Sequence, residues 1–177
     1  ENYLIQNPFQ DVNAIVLQNN SWNNAIYNLK PAFVNNNKLI FNYEDQNVIE
    51  GTSEFRFFDI RSLRAFSQNV QKKFTDSIIN VVLKPQEVAA HLNYTNSIDF
   101  NGQRVVQNVD GGDVTENGDY TLVHFTLKSP NEISVGDVYV YGELSDWRMD
   151  DKFKMTYVPE KDIYYLAVKL KQSYYNY

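Results

Sequence analysis

The chain has 177 residues, 43% hydrophobic and 15% aromatic, so it carries enough apolar area to build a core, and disorder along its whole length is excluded. A formal net charge of -6 without any Lys/Arg cluster removes the electrostatic term that dominates nucleic-acid binding, and neither nucleic acid nor an anionic lipid surface is expected as a partner. With no cysteine there is no disulfide framework or thiolate metal site, and no apolar run approaches the ~20 residues needed for direct membrane insertion.

The 13 Tyr and 11 Phe suit pleated, half-buried surfaces, and Asn runs such as Asn35-Asn36-Asn37 supply turns, so strands joined by turns are expected. The chain opens on strand-like Tyr3-Leu4-Ile5 without a signal peptide and closes on Tyr174-Tyr175-Asn176-Tyr177, which reads as an excised piece of a longer protein. Ala14 to Leu17 predicts a short buried strand, followed by a turn at Asn19-Asn20-Ser21. Trp22, Ile26 and Leu29 fall at helical spacing, but Asn23, Asn24 and Asn28 are poor helix residues and Pro31 closes the segment. Strand or extended loop is therefore expected, with Trp22 in core or inter-domain packing.

Lys38 to Tyr43 alternates cleanly, and Glu54 to Ile60 sets Phe55 and Phe57 opposite Arg56, Phe58 and Ile60, giving two more strands. Ile78 to Leu83 is a β-branched strand ended by Pro85, Gln86 to Leu92 is the best helix candidate, and Tyr94 to Gly102 reads as loop. Residues 110–118 are acidic and Gly-rich, and are read as a linker between a β-sandwich-like domain at 1–109 and a second at 119–177. In the second, Tyr120 to Lys128, Val138 to Gly142, Phe153 to Tyr157 and Ile163 to Leu170 follow at sandwich-like spacing. Residues 158–162 form a hairpin turn, and a further strand begins at Tyr174. The fold class expected is all-β, with two consecutive sandwich domains.

Three segments together resemble one family: Leu17 to Ile26 with Trp22 at its centre, Glu54-Phe55-Arg56-Phe57-Phe58-Asp59-Ile60-Arg61-Ser62-Leu63-Arg64, and Asp119-Tyr120-Thr121-Leu122-Val123-His124-Phe125. It is the plug protein of the type IX secretion system of Bacteroidota. The resemblance runs over essentially the whole chain in motif order. It implies a β-rich periplasmic protein, preceded by a signal peptide and a further β domain, that caps the periplasmic mouth of a very large outer-membrane β-barrel translocon when the pore is idle. A second resemblance covers Val138 to Tyr177: Val138-Tyr139-Val140-Tyr141-Gly142-Glu143-Leu144-Ser145-Asp146-Trp147 and the strands after it look like early-set immunoglobulin-like modules that bind starch and glycogen. In those modules the position matching Trp147 stacks on a sugar, while their second tryptophan and its lysine partner have no evident match here.

Trp147 sits in a polar turn between Asp146 and Arg148, where an indole serves either as a binding platform, together with Tyr141 and Asp146, or as a cover for the edge of its own sandwich. His91 and His124 are the groups that titrate near neutrality without a shifted pKa; they lie far apart, and His124 between Val123 and Phe125 reads as a hydrogen-bonded sheet residue. No Ser or Thr occupies a nucleophile elbow and no Gly-rich phosphate loop occurs, so no catalytic residue, cofactor or metal is assigned. Glu143, Asp146, Asp150 and Asp151 cluster as a glycosidase pair would but read as a solvated turn. Asp110, Asp113, Glu116 and Asp119 could wrap calcium but lack the spacing of a calcium loop. Arg56, Arg61 and Arg64 surround Asp59, for which an internal Arg–Asp pair is the simplest reading. The expectation is a non-enzymatic interaction module whose partner is the translocon barrel, with a glycan-binding module as the alternative.

Overall fold

The computed structural model describes residues 5–36, 38–49, 55–88, 100–111 and 118–177, without the side chains of Ser21, Asn23 and Asn24. Strands dominate the described residues, as the all-β class requires, and the α-helix α1 (Pro8–Asp11) is a single turn. The chain divides into two compact units, Glu1–Ser53 and Glu54–Tyr177.

In the first unit, β1 (Ala14–Gln18) and β2 (Ser21–Leu29) form an antiparallel hairpin, and β3 (Phe33–Asn35) and β4 (Lys38–Ile40) form a second. Asn19 and Asn20 both take positive φ at the tip of the first, the left-handed pair that a two-residue turn needs and that Asn tolerates. The register then slips between Gln18↔Ser21, Val16↔Ile26 and Ala14↔Leu29, with Asn28 at φ 57 marking one bulge. Leu29 is buried here.

The second unit is a sandwich of two sheets. The larger runs β11 (Thr156–Val158), β12 (Ile163–Lys171), β10 (Tyr120–Lys128), β7 (Ile79–Leu83), β6 (Val70–Thr75), with β8 (Gln86–Glu87) also on β10; the smaller runs β5 (Phe57–Asp59), β13 (Tyr174–Asn176), β9 (Arg104–Val105). Period-2 alternation sends Val123 and Phe125 of β10 inward and leaves His124 on the outer face. Phe58 and Ile60 meet them from the smaller sheet, fully buried: Phe58 packs edge to face on Phe125 at 5.5 Å and stacks on Tyr175 at 5.0 Å. Full burial of each such side chain contributes about 1.5–3 kcal/mol. The Tyr175 hydroxyl, pushed up to about 12 by burial, donates to Lys171 O.

The expected boundary at 110–118 is corrected by this topology. β10 pairs in parallel with β7, Thr121↔Ile79 through His124↔Val82, and β13 pairs with β5 and β9, so residues before and after that stretch share both sheets. Turn-rich composition does not mark a domain border here, and parallel pairing requires a long crossover such as the one between Leu83 and Tyr120. Gln86 and Glu87, expected to start a helix, instead pair with Leu127 and Lys128; tertiary pairing overrides local propensity, and residues 89–92 lie outside the described residues. Val138 to Gly142 makes a single bridge, Tyr139↔Lys154, before a 3-10 turn at Glu143–Ser145. The hairpin at 158–162 is present, with Asp162 left-handed. Among the described residues, no helix is long and apolar enough to cross a membrane.

Candidate functional site

The turn that carries Trp147 closes the indole inward. Gly142 O accepts from both Ser145 N and Trp147 N at 3.0 Å, and Asp146 and Trp147 follow in left-handed conformation at φ 50 and 57. The side chain ends 9% exposed, edge to face with Phe55 at 6.0 Å and with Tyr141 at 5.6 Å. Gly102 lies against its six-membered ring: a Cβ there would come within 2.6 Å of both Trp147 Cη2 and Phe55 Cε1. The expected set is therefore brought together only in part. Tyr141 and Trp147 touch, but as packing partners, and no open indole face is left on which a sugar could stack. Asp146 is exposed, with its carboxylate 3.8 Å from Arg104 Nη2, while Glu143 accepts from Arg104 N at 2.7 Å.

Arg61, Asp59 and Asp110 are engaged by the protein itself. Arg61 and Asp59 form the expected pair at 2.6 Å; burial alone would raise the Asp59 carboxyl, but its bonds to Arg61 hold it below the ordinary value. Asp110 accepts from Ser62 Oγ at 2.6 Å and Leu63 N at 2.7 Å, and the Ser62 bond in particular lowers its pKa. Asp113 and Glu116 lie outside the described residues. Among the described residues no three His, Asp or Glu converge as a metal site would require.

His124 is fixed at both ring nitrogens. Asn80 uses its Nδ2 on Ile78 O and so turns its Oδ1 to His124 Nε2 at 2.8 Å, which makes Nε2 the protonated nitrogen and Nδ1 the acceptor for Tyr165 Oη at 2.6 Å. Burial lowers its pKa. His91 lies outside the described residues.

The prominent exposed feature is one the sequence reading assigned to packing. Trp22 and Tyr27 of β2 are 57% and 52% exposed, with rings stacked at 6.3 Å and 29°, and Tyr27 Oη donates to Trp22 O. Ile15 of β1 is 49% exposed. Hydropathy cannot separate an apolar core residue from an apolar surface anchor, but position could have: Trp22 follows the Asn19-Asn20 tip, where a short hairpin offers little to bury an indole.

No protein-family model matches the chain, and no curated protein matches it. Among solved structures it is similar to the crystal structure of a hypothetical protein from Parabacteroides merdae, with a TM-score of 0.87 and 30% sequence identity over 96% of this chain and 43% of that one. The chain therefore spans less than half the length of the protein it matches, and what the likeness supports is the all-β sandwich fold.

Proposed function

We propose that the chain is the binding part of a non-enzymatic periplasmic protein that docks on a very large outer-membrane β-barrel, as the plug of a type IX secretion translocon does, and blocks the idle pore. The observation that carries this reading is where the three plug-like segments fall. Glu54 to Arg64 supplies β5 and Asp119 to Phe125 supplies β10, which face each other across one core through Phe58 and Phe125 at 5.5 Å, and Leu17 to Ile26 forms the β1–β2 turn and most of β2. Two of the three segments thus supply strands that share one core. Likeness to a Parabacteroides protein adds support, since that genus belongs to the Bacteroidota.

A plug needs a stiff body whose surfaces dock, and the bonded arginines, His124 and the closed Trp147 turn fit that demand. The burial of Trp147 removes the observation on which a sugar-binding reading of that residue would rest. Deleting the gene in its native cells and measuring entry of a large hydrophilic dye through the outer membrane tests the proposal. A rise that the full-length protein reverses is expected; unchanged permeability in a strain with an intact translocon would count against it.

A further inference from the structure

The β1–β2 hairpin presents Ile15, Trp22 and Tyr27 to solvent, and the two rings are stacked on each other before any partner arrives. Single exposed apolar residues are ordinary on a protein surface; a pre-ordered aromatic pair carries less entropic cost on binding and is the type of anchor that dominates interfaces. The hairpin is also free of charge. From Val12 to Leu29 the sequence has no Asp, Glu, Lys or Arg, although 21% of the chain is charged. The charges that flank it make local bonds: Lys30 Nζ donates to Gln10 O at 2.8 Å, and Asp11 Oδ2 accepts from Asn7 N at 3.0 Å.

Depletion of charge with enrichment of Trp and Tyr is what distinguishes the core of a protein–protein interface from the rest of a surface. The geometry points to this face, centred on Trp22 and Tyr27 with Ile15 beside them on β1, as the surface that docks on the partner protein, through a patch of the partner that is itself uncharged and apolar. A charged patch would be desolvated against it without a counter-ion, and nucleic acid or anionic lipid would find no cation on it. The two left-handed asparagines at the tip form the turn that brings β1 beside β2. This inference rests on the binding reading above and adds to it the surface and the chemistry of the contact.

The test uses tagged full-length protein in gently solubilised native envelopes, with the amount of outer-membrane barrel recovered as the readout. Trp22→Ala combined with Tyr27→Ala is expected to lower recovery about tenfold or more. Ile15→Lys, at an exposed position, should lower it too, while Trp22→Phe and Phe66→Ala, at an exposed position of the second unit, retain it. Because the face carries no charge, recovery by the unsubstituted protein should hold between about 0.05 and 0.5 M salt. An unchanged far-UV circular dichroism spectrum and melting transition of the double variant report that it is folded. If both the double variant and Ile15→Lys recover the barrel undiminished, the docking face is overturned while the binding reading stands; if the unsubstituted protein recovers no barrel, both fall. A change in tryptophan emission on adding neutral oligosaccharides, abolished by Trp22→Phe, would assign the hairpin to a glycan and overturn the inference.

Discussion

Asn176 Oδ1 accepts the backbone N–H of Gly102 at 2.7 Å, joining the last strand of the smaller sheet to the segment that faces the Trp147 ring. The same oxygen takes Phe100 N at 3.2 Å, Nδ2 donates to Arg56 O at 3.0 Å, and the side chain is fully buried. Asn176→Ala takes the acceptor from Gly102 N and Phe100 N, while Arg56 O keeps its bond from Tyr177 N at 2.7 Å, and should destabilise the second unit by about 2 kcal/mol. Urea unfolding followed by far-UV circular dichroism measures this, and a loss below about 0.5 kcal/mol would show that the clamp contributes little.

Gly102 has φ 79 and no room for a side chain, since a Cβ would meet Trp147 and Phe55 at 2.6 Å. Gly102→Ala combines overpacking with a left-handed alanine and is expected to cost about 2–4 kcal/mol. Trp147 emission should shift to the red as the ring is displaced. An unshifted spectrum with unchanged stability would mean that Trp147 is not held by this contact.

Thr121 is fully buried in β10, and its Oγ1 has no hydrogen-bond partner among the described residues. Replacing the hydroxyl by a methyl of similar size removes an uncompensated polar group, so Thr121→Val should stabilise the protein by about 1 kcal/mol. A raised melting temperature is the expected result.

His124 is held neutral, with its folded pKa below the ordinary 6.5 because of burial. A depressed histidine pKa contributes stability that is complete above pH 6.5 and is lost as pH falls through the folded value, because the unfolded chain takes up the proton first. Stability should therefore decline on acidification from about pH 7 toward pH 5, and less so in His124→Gln. Asp59 and Asp110, lowered from 3.8, add a separate loss at more acid pH, as folded carboxylates that resist protonation require. Identical profiles for His124→Gln and the unsubstituted protein across the upper window would contradict the His124 assignment.

The strands legible in the sequence were those with one face buried. Val123 and Phe125 against His124, and Tyr164, Leu166 and Val168 against Tyr165 and Lys169, alternate as a strand between core and solvent must. β6 escaped notice because Val70-Gln71-Lys72-Lys73-Phe74-Thr75 has Phe74 exposed and little apolar alternation, as befits the edge of the sheet. The pairing of β13 with β5 and β9, and of β10 with β7, joins residues far apart in the chain, which local pattern does not encode. The two tryptophans show the same limit. Both have Asn or Asp neighbours in the sequence, yet Trp147 is closed in by Gly102 and Phe55 from much earlier in the chain, while Trp22, on β2 beside a hairpin tip, stays open.

Gentle purification of the full-length protein at its native level, with mass spectrometric identification of what accompanies it, tests the plug reading most directly. The expected result is stoichiometric recovery of a very large outer-membrane β-barrel, unaffected by added neutral oligosaccharide. Recovery of the protein alone, or with polysaccharide and the enzymes that act on it, would contradict the reading.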